Sequence, residues 1–98
     1  MIHYFIMTSL PSLVRAVQDE GRHVVIRVSG EVEVFDRKPD LATLQKLVGG
    51  NIQAVPLWQN VVFVCDEEGR LKNYKLNSLA TLLCTAPVFG DVVFTLLE

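Results

Sequence analysis

Residues 24–35 read Val24-Val25-Ile26-Arg27-Val28-Ser29-Gly30-Glu31-Val32-Glu33-Val34-Phe35. Val24, Ile26, Val28, Val32 and Val34 share one parity, and Arg27, Ser29, Glu31 and Glu33 share the other. A period of two is the mark of extended chain, with one dry face and one wet face. Gly30 interrupts the alternation and implies a bulge or a tight turn. One long bent strand and two short strands both fit that pattern. A sheet is therefore the frame, and the remaining segments are read by how they could attach to it.

Upstream, Ile2–Met7 is a short aromatic and apolar run of strand type, and Thr8 or Ser9 can cap a following helix. Pro11 fits the first turn of that helix, where its missing N–H costs nothing. Leu10, Leu13, Val14 and Val17 line one helical face, and Gly21 ends it. Downstream, Leu41, Leu44, Leu47 and Val48 repeat the helical spacing, and Gly49-Gly50 stops the helix. Residues 51–57 resume extended chain, with Pro56 restricted to an edge or a strand end. Residues 61–65 form a continuous apolar run of central-strand type. Asp66-Glu67-Glu68-Gly69 is a turn, after which residues 71–76 are expected to return antiparallel, with Leu71 and Tyr74 or Leu76 on the core. Asn77 or Ser78 caps a short helix carrying Leu79, Leu82 and Leu83, Pro87 closes it, and residues 92–97 form the last strand. The order implies an α+β fold in a single domain over residues 1–98. Its sheet is mixed or largely antiparallel, of about five to six strands, with two to three helices packed on it.

The chain has 98 residues, of which half are hydrophobic and a fifth charged. A chain of this length buries roughly 65% of its unfolded surface, enough for one core. Nine basic and eleven acidic residues leave a formal charge of −2. That balance lacks the basic face a nucleic-acid binder needs. The first seven residues lack the basic start and long apolar core of a secretory signal. No uninterrupted apolar run reaches the ~18 residues of a membrane span. Cys65 and Cys84 have no partner at metal-ligand spacing and read as reduced, buried thiols. The expectation is a cytoplasmic protein with neither membrane nor nucleic-acid partner.

From Val48 onward, an ordered set of short motifs appears: Val48-Gly49-Gly50 with Ile52 and Val55, Asp66-Glu67-Glu68-Gly69 with Leu71, Asn77, then Gly90 with Val92 and Val93. The set resembles a family of small bacterial, plasmid and phage proteins known only as a domain of unknown function. The resemblance covers residues 24–97, leaving 1–23 as an added strand-helix element. It implies the same fold and, from the occurrence of members on mobile elements, an accessory role. It carries no activity.

Few residues stand out chemically. Asp66, Glu67 and Glu68 are the one acidic cluster, either a hard-cation site or a solvated hairpin tip. Asn77 either caps a helix or binds a ligand. With Arg70 and Tyr74, the residues Asp66, Glu67 and Asn77 are the candidate ligand-binding set. Gly49, Gly50, Gly69 and Gly90 are read as structural. His3 and His23 are read as strand or turn residues. Trp58 is either half-buried or a contact residue, and stands as the interface candidate. Nothing in the spacing forms a catalytic triad or metal centre, and no cofactor is implied.

Two functions follow. The first is a non-catalytic interaction module, a homodimer with a further protein partner, using the strand ending at Leu97 or the edge carrying Pro56. The alternative is a small-ligand protein or small enzyme, taking a nucleotide-like molecule or a metal at the Asp66–Asn77 hairpin region.

Overall fold

The computed structural model describes residues 2–6, 10–84 and 86–97. Along the chain run β1 (Ile2–Ile6), α1 (Leu10–Gln18), β2 (His23–Ile26), β3 (Glu31–Phe35), α2 (Leu41–Val48), β4 (Ile52–Trp58), β5 (Val61–Asp66), α3 (Ser78–Leu82) and β6 (Val92–Leu96). The strands form one sheet in the order β1-β3-β2-β6-β5-β4, and every neighbouring pair is antiparallel. The fold is α+β. The capping role expected of Thr8 or Ser9 falls outside the described residues, as does the side chain of His3.

The alternation at residues 24–35 resolves into a hairpin. Arg27 N–H donates to the Glu31 carbonyl at 3.0 Å and Gly30 N–H to the Arg27 carbonyl at 2.9 Å, closing a tight turn between β2 and β3. The face expected to be wet is wet only near the turn: Ser29 and Glu31 are exposed, Arg27 is half-buried and Glu33 is buried. Helices α1 and α3 cover one side of the sheet, packing Leu13, Val17 and Ala80 on Val24, Ile26, Val61, Phe63, Val92 and Phe94. Helix α2 covers the other, packing Leu44 and Val48 on Val25, Val62, Val64 and Val93. Both faces of the central strands are therefore dry, which is why residues 61–65 read as an unbroken apolar run. Each such Val or Phe contributes about 1.5–3 kcal/mol when fully buried. Phe63 and Phe94 meet edge to face, 5.5 Å between ring centroids.

Glu33, on the face assigned to water, is buried and bonded to Arg27, with Nη2 2.8 Å and Nε 2.9 Å from Oε1. The Arg27 guanidinium also reaches Asp91 at 3.1 Å. A second buried polar pair joins β2 to β6, His23 Nδ1 lying 2.6 Å from Thr95 Oγ1.

Helix α2 begins at Asp40, whose carboxylate accepts from Thr43 N–H at 2.8 Å, and ends where Gly49 takes φ +98°. Residues 71–76 do not return as a strand. Strand β5 already has β4 on one side and β6 on the other, so no ladder is open to them. They form turns instead, with Asn73 at φ +57°, and make one isolated bridge, Leu76–Phe89, outside the named strands. Leu71, expected on the core, is 82% exposed.

The strand ending near Leu97 is likewise no edge, because β6 lies between β2 and β5. The edges are β1 and β4, and β4 carries Pro56 as its sequence demanded. Glu67 N–H bonds the Asn51 carbonyl, which fixes the parity of β4 against β5. By that parity the backbone groups of Ile52, Ala54 and Pro56 point away from β5, toward the open edge. The register shifts between Pro56 and Trp58.

Candidate functional site

Asp66 ends β5 with its side chain only 1% exposed. One carboxylate oxygen accepts from Glu68 N–H at 2.9 Å; the other accepts from Lys72 Nζ at 2.7 Å and from the Tyr74 hydroxyl at 2.9 Å. Burial would raise the acid's pKa, but these three donors outweigh it and hold it below the ordinary carboxylate value. Through the same bonds, Asp66 pushes the Lys72 ammonium and the Tyr74 phenol above their usual values. The carboxylate is a knot that folds residues 67–74 back on the end of β5.

That knot is seated on glycines. A Cβ at Gly49 would collide with the Tyr74 hydroxyl, and one at Gly90 would lie 2.6 Å from Tyr74 Cδ2. Gly49 and Gly90 also have φ of +98° and +87°, the region other residues avoid. Gly50 lies beneath Lys72 and Asp66, and Gly69 lies against the Phe89 carbonyl. The four motif glycines thus surround one tyrosine and its acid, although 41 positions separate Gly49 from Gly90.

Asn77 is fully buried and caps α3. Its Oδ1 accepts from Ala80 N–H at 3.1 Å, and its Nδ2 donates to the Ile26 and Gly90 carbonyls, each at 2.9 Å. The amide therefore binds the end of β2, the start of α3 and the approach to β6 together. Gly90 links this staple to the Tyr74 slot.

Of the candidate ligand set, Asp66 and Tyr74 meet, Asn77 stands behind Gly90, and Glu67 and Arg70 are exposed on the turn. The Arg70 guanidinium lies over the Phe89 ring, 5.5 Å from its centroid. Lys72, which completes the knot, was not singled out by sequence; a lysine six residues after an acid has no helical or strand meaning. Among the described residues no three His, Cys, Asp or Glu side chains gather to hold a metal. Among the described residues, no helix is long and apolar enough to cross a membrane.

The Asp66 knot predicts a particular acid response. A carboxylate whose folded pKa is depressed stabilises the fold above its unfolded value, and that contribution is lost as pH falls through the folded value. Asp66→Asn is therefore expected to be less stable than wild type at pH 7, with the gap closing below about pH 4. Urea unfolding across that range measures it; a gap independent of pH would contradict the knot.

Beside the knot, an apolar groove of about 250 Å³ opens between the β4–β5 face and the loop after α3. Its walls include Val55, Phe63, Cys65, Cys84, Val88 and Phe89, with Glu67 and Arg70 among its polar lining. Both cysteines are free and half-buried here. Burial, then the nearby Asp66 and Cys84, raises the Cys65 thiol pKa, which keeps it protonated and poorly nucleophilic. Trp58, at the far end of β4, is half-buried: it packs edge to face on Phe94 at 6.0 Å and donates from Nε1 to Gln18 Oε1 at 2.9 Å.

Comparison with curated proteins and with solved structures gave no match. The family model described as "Domain of unknown function (DUF3846)" matches residues 14–98, a span that takes in the Tyr74 slot, the Asn77 staple and the groove, and the chain belongs to that family.

Proposed function

We propose that the chain is a non-catalytic interaction module that accepts an extended partner segment along the β4 edge. The observation that carries this reading is the edge itself. Residues 52–58, Ile-Gln-Ala-Val-Pro-Leu-Trp, contain no charge, and Ile52 and Ala54 turn their backbone groups outward. Edge strands are ordinarily guarded by charges, prolines or bulges. Here the guards, Pro56 and the register shift, sit in the second half of the strand and leave residues 52–55 open. The groove behind Val55 gives a neighbouring strand an apolar place for a side chain, the arrangement by which strand addition gains specificity.

The alternative ligand site at Asp66–Asn77 has less support. Both Asp66 oxygens and all of the Asn77 amide donors are used inside the protein. We read the role as accessory and cytoplasmic, where two unpaired cysteines stay reduced.

A synthetic peptide copying residues 51–58, titrated into isotope-labelled protein, tests the reading by NMR. Shifts are expected at the Ile52 and Ala54 amides and along the groove at Val55, Cys65 and Val88. No shifts at saturating peptide, or shifts centred on Val28 and Leu82, would overturn it.

A further inference from the structure

We propose that the segment occupying the β4 edge is β4 of a second copy of this chain, paired antiparallel about a two-fold axis at Ala54. The inference rests on the strand-docking reading above and names its occupant.

Charge is the first argument. Of the 98 residues, 20 are charged (9 basic and 11 acidic), yet none lies in β4. Two copies of this strand meet without like charges facing each other, the usual obstacle to self-pairing.

Register is the second. Pro56 has no N–H to give, and the ladder is irregular beyond it, so usable pairing is confined to residues 52–56. An axis at Ala54 sets Ala54 opposite Ala54 and Ile52 opposite Pro56. The two alanines exchange both of their backbone bonds, and each Ile52 N–H donates to the Pro56 carbonyl of the other copy. Four bonds form, and the missing proline donor forfeits only the return bond at each end.

Side chains are the third. Ala54 is exposed and small, so two copies can approach at the axis. On the groove side, Val55 of one copy lies beside Gln53 of the other, both lining the apolar groove, and Leu57 lies beside Asn51. Each copy thus brings apolar cover to the other's open surface, and the contact is self-complementary, as a two-fold interface requires.

Size-exclusion chromatography with light scattering tests this on the full chain. Wild type is expected to be a dimer. Ala54→Lys and Ala54→Glu each place like charges across the axis and should weaken association roughly a hundredfold, giving monomers. An equimolar mixture of the two variants should recover the dimer. Ala54 is exposed, so both variants are expected to keep the wild-type circular dichroism spectrum.

A wild type that stays monomeric at its highest soluble concentration overturns the proposal. The peptide titration then decides separately whether the edge accepts an extended strand at all. A dimer unaffected by either charge assigns the contact to another surface and also overturns it. Monomeric variants that fail to recover as a mixture exclude the Ala54 axis.

Discussion

Asn77→Ala is expected to lower stability by about 3 kcal/mol and to melt some 15 °C below wild type, far more than loss of an exposed helix cap (about 1 kcal/mol). The side chain is fully buried and makes three bonds, only one of which is the cap. Truncation leaves the Ile26 and Gly90 carbonyls without their amide donor and opens a small void. Two further variants separate the cap from the staple. Asn77→Ser retains an oxygen for Ala80 N–H but loses both donors, and should recover about 1 kcal/mol of the loss. Asn77→Asp retains the cap acceptor but turns an oxygen toward two carbonyl oxygens, and should be at least as harmful as alanine. At an ordinary exposed cap aspartate is as good as asparagine. Thermal and urea unfolding measure all three, and an Asp variant within about 0.5 kcal/mol of wild type would reduce Asn77 to a simple cap.

The second large effect is expected at Gly90. Gly90→Ala combines two penalties: a backbone at φ +87° that alanine resists, and a Cβ placed 2.6 Å from Tyr74 Cδ2. The first costs about 1–2 kcal/mol and the second about 1–3 kcal/mol, so a total loss near 3–4 kcal/mol is expected. The parts can be told apart by a double-mutant cycle, because Tyr74→Ala removes the collision and leaves the dihedral untouched. In the Tyr74→Ala background the cost of Gly90→Ala should shrink by 1 kcal/mol or more, leaving the backbone part. Additive losses would mean that the ring moves aside freely and that Gly90 is required only for its dihedral.

Sequence periodicity located most of the elements because their signals are local. The Gly49 stop, the Pro56 edge and the amphipathic faces of α1 and α2 each depend on residues a few positions apart. The failures are all questions of what lies opposite. Leu71 and Leu76 follow a turn in a way that suits a returning strand, but β6, some 15 or more residues further on, takes the place such a strand would need. Glu33 alternates with valines as a wet residue does, but Arg27 across the hairpin, itself held by the distant Asp91, pairs with it. At the candidate site, the motif residues Gly49, Asp66, Asn77 and Gly90 were legible as positions, and their convergence on Tyr74 was not. Lys72 carried no local signal at all, because its partner is chosen by how residues 67–74 fold over the end of β5.

The placement of β6 has a consequence for the order of assembly. The hairpins β2–β3 and β4–β5 are each made from neighbouring sequence, but they share no ladder, since β6 stands between them. As the chain leaves the ribosome both halves can form early with their inner edges unpaired, and neither can join the other. Only when residues 92–96 have emerged does the sheet close, through contacts with a strand almost seventy residues back. That closure is a high-contact-order insertion and is expected to be slow, and the interval before it is when aggregation is expected to compete most.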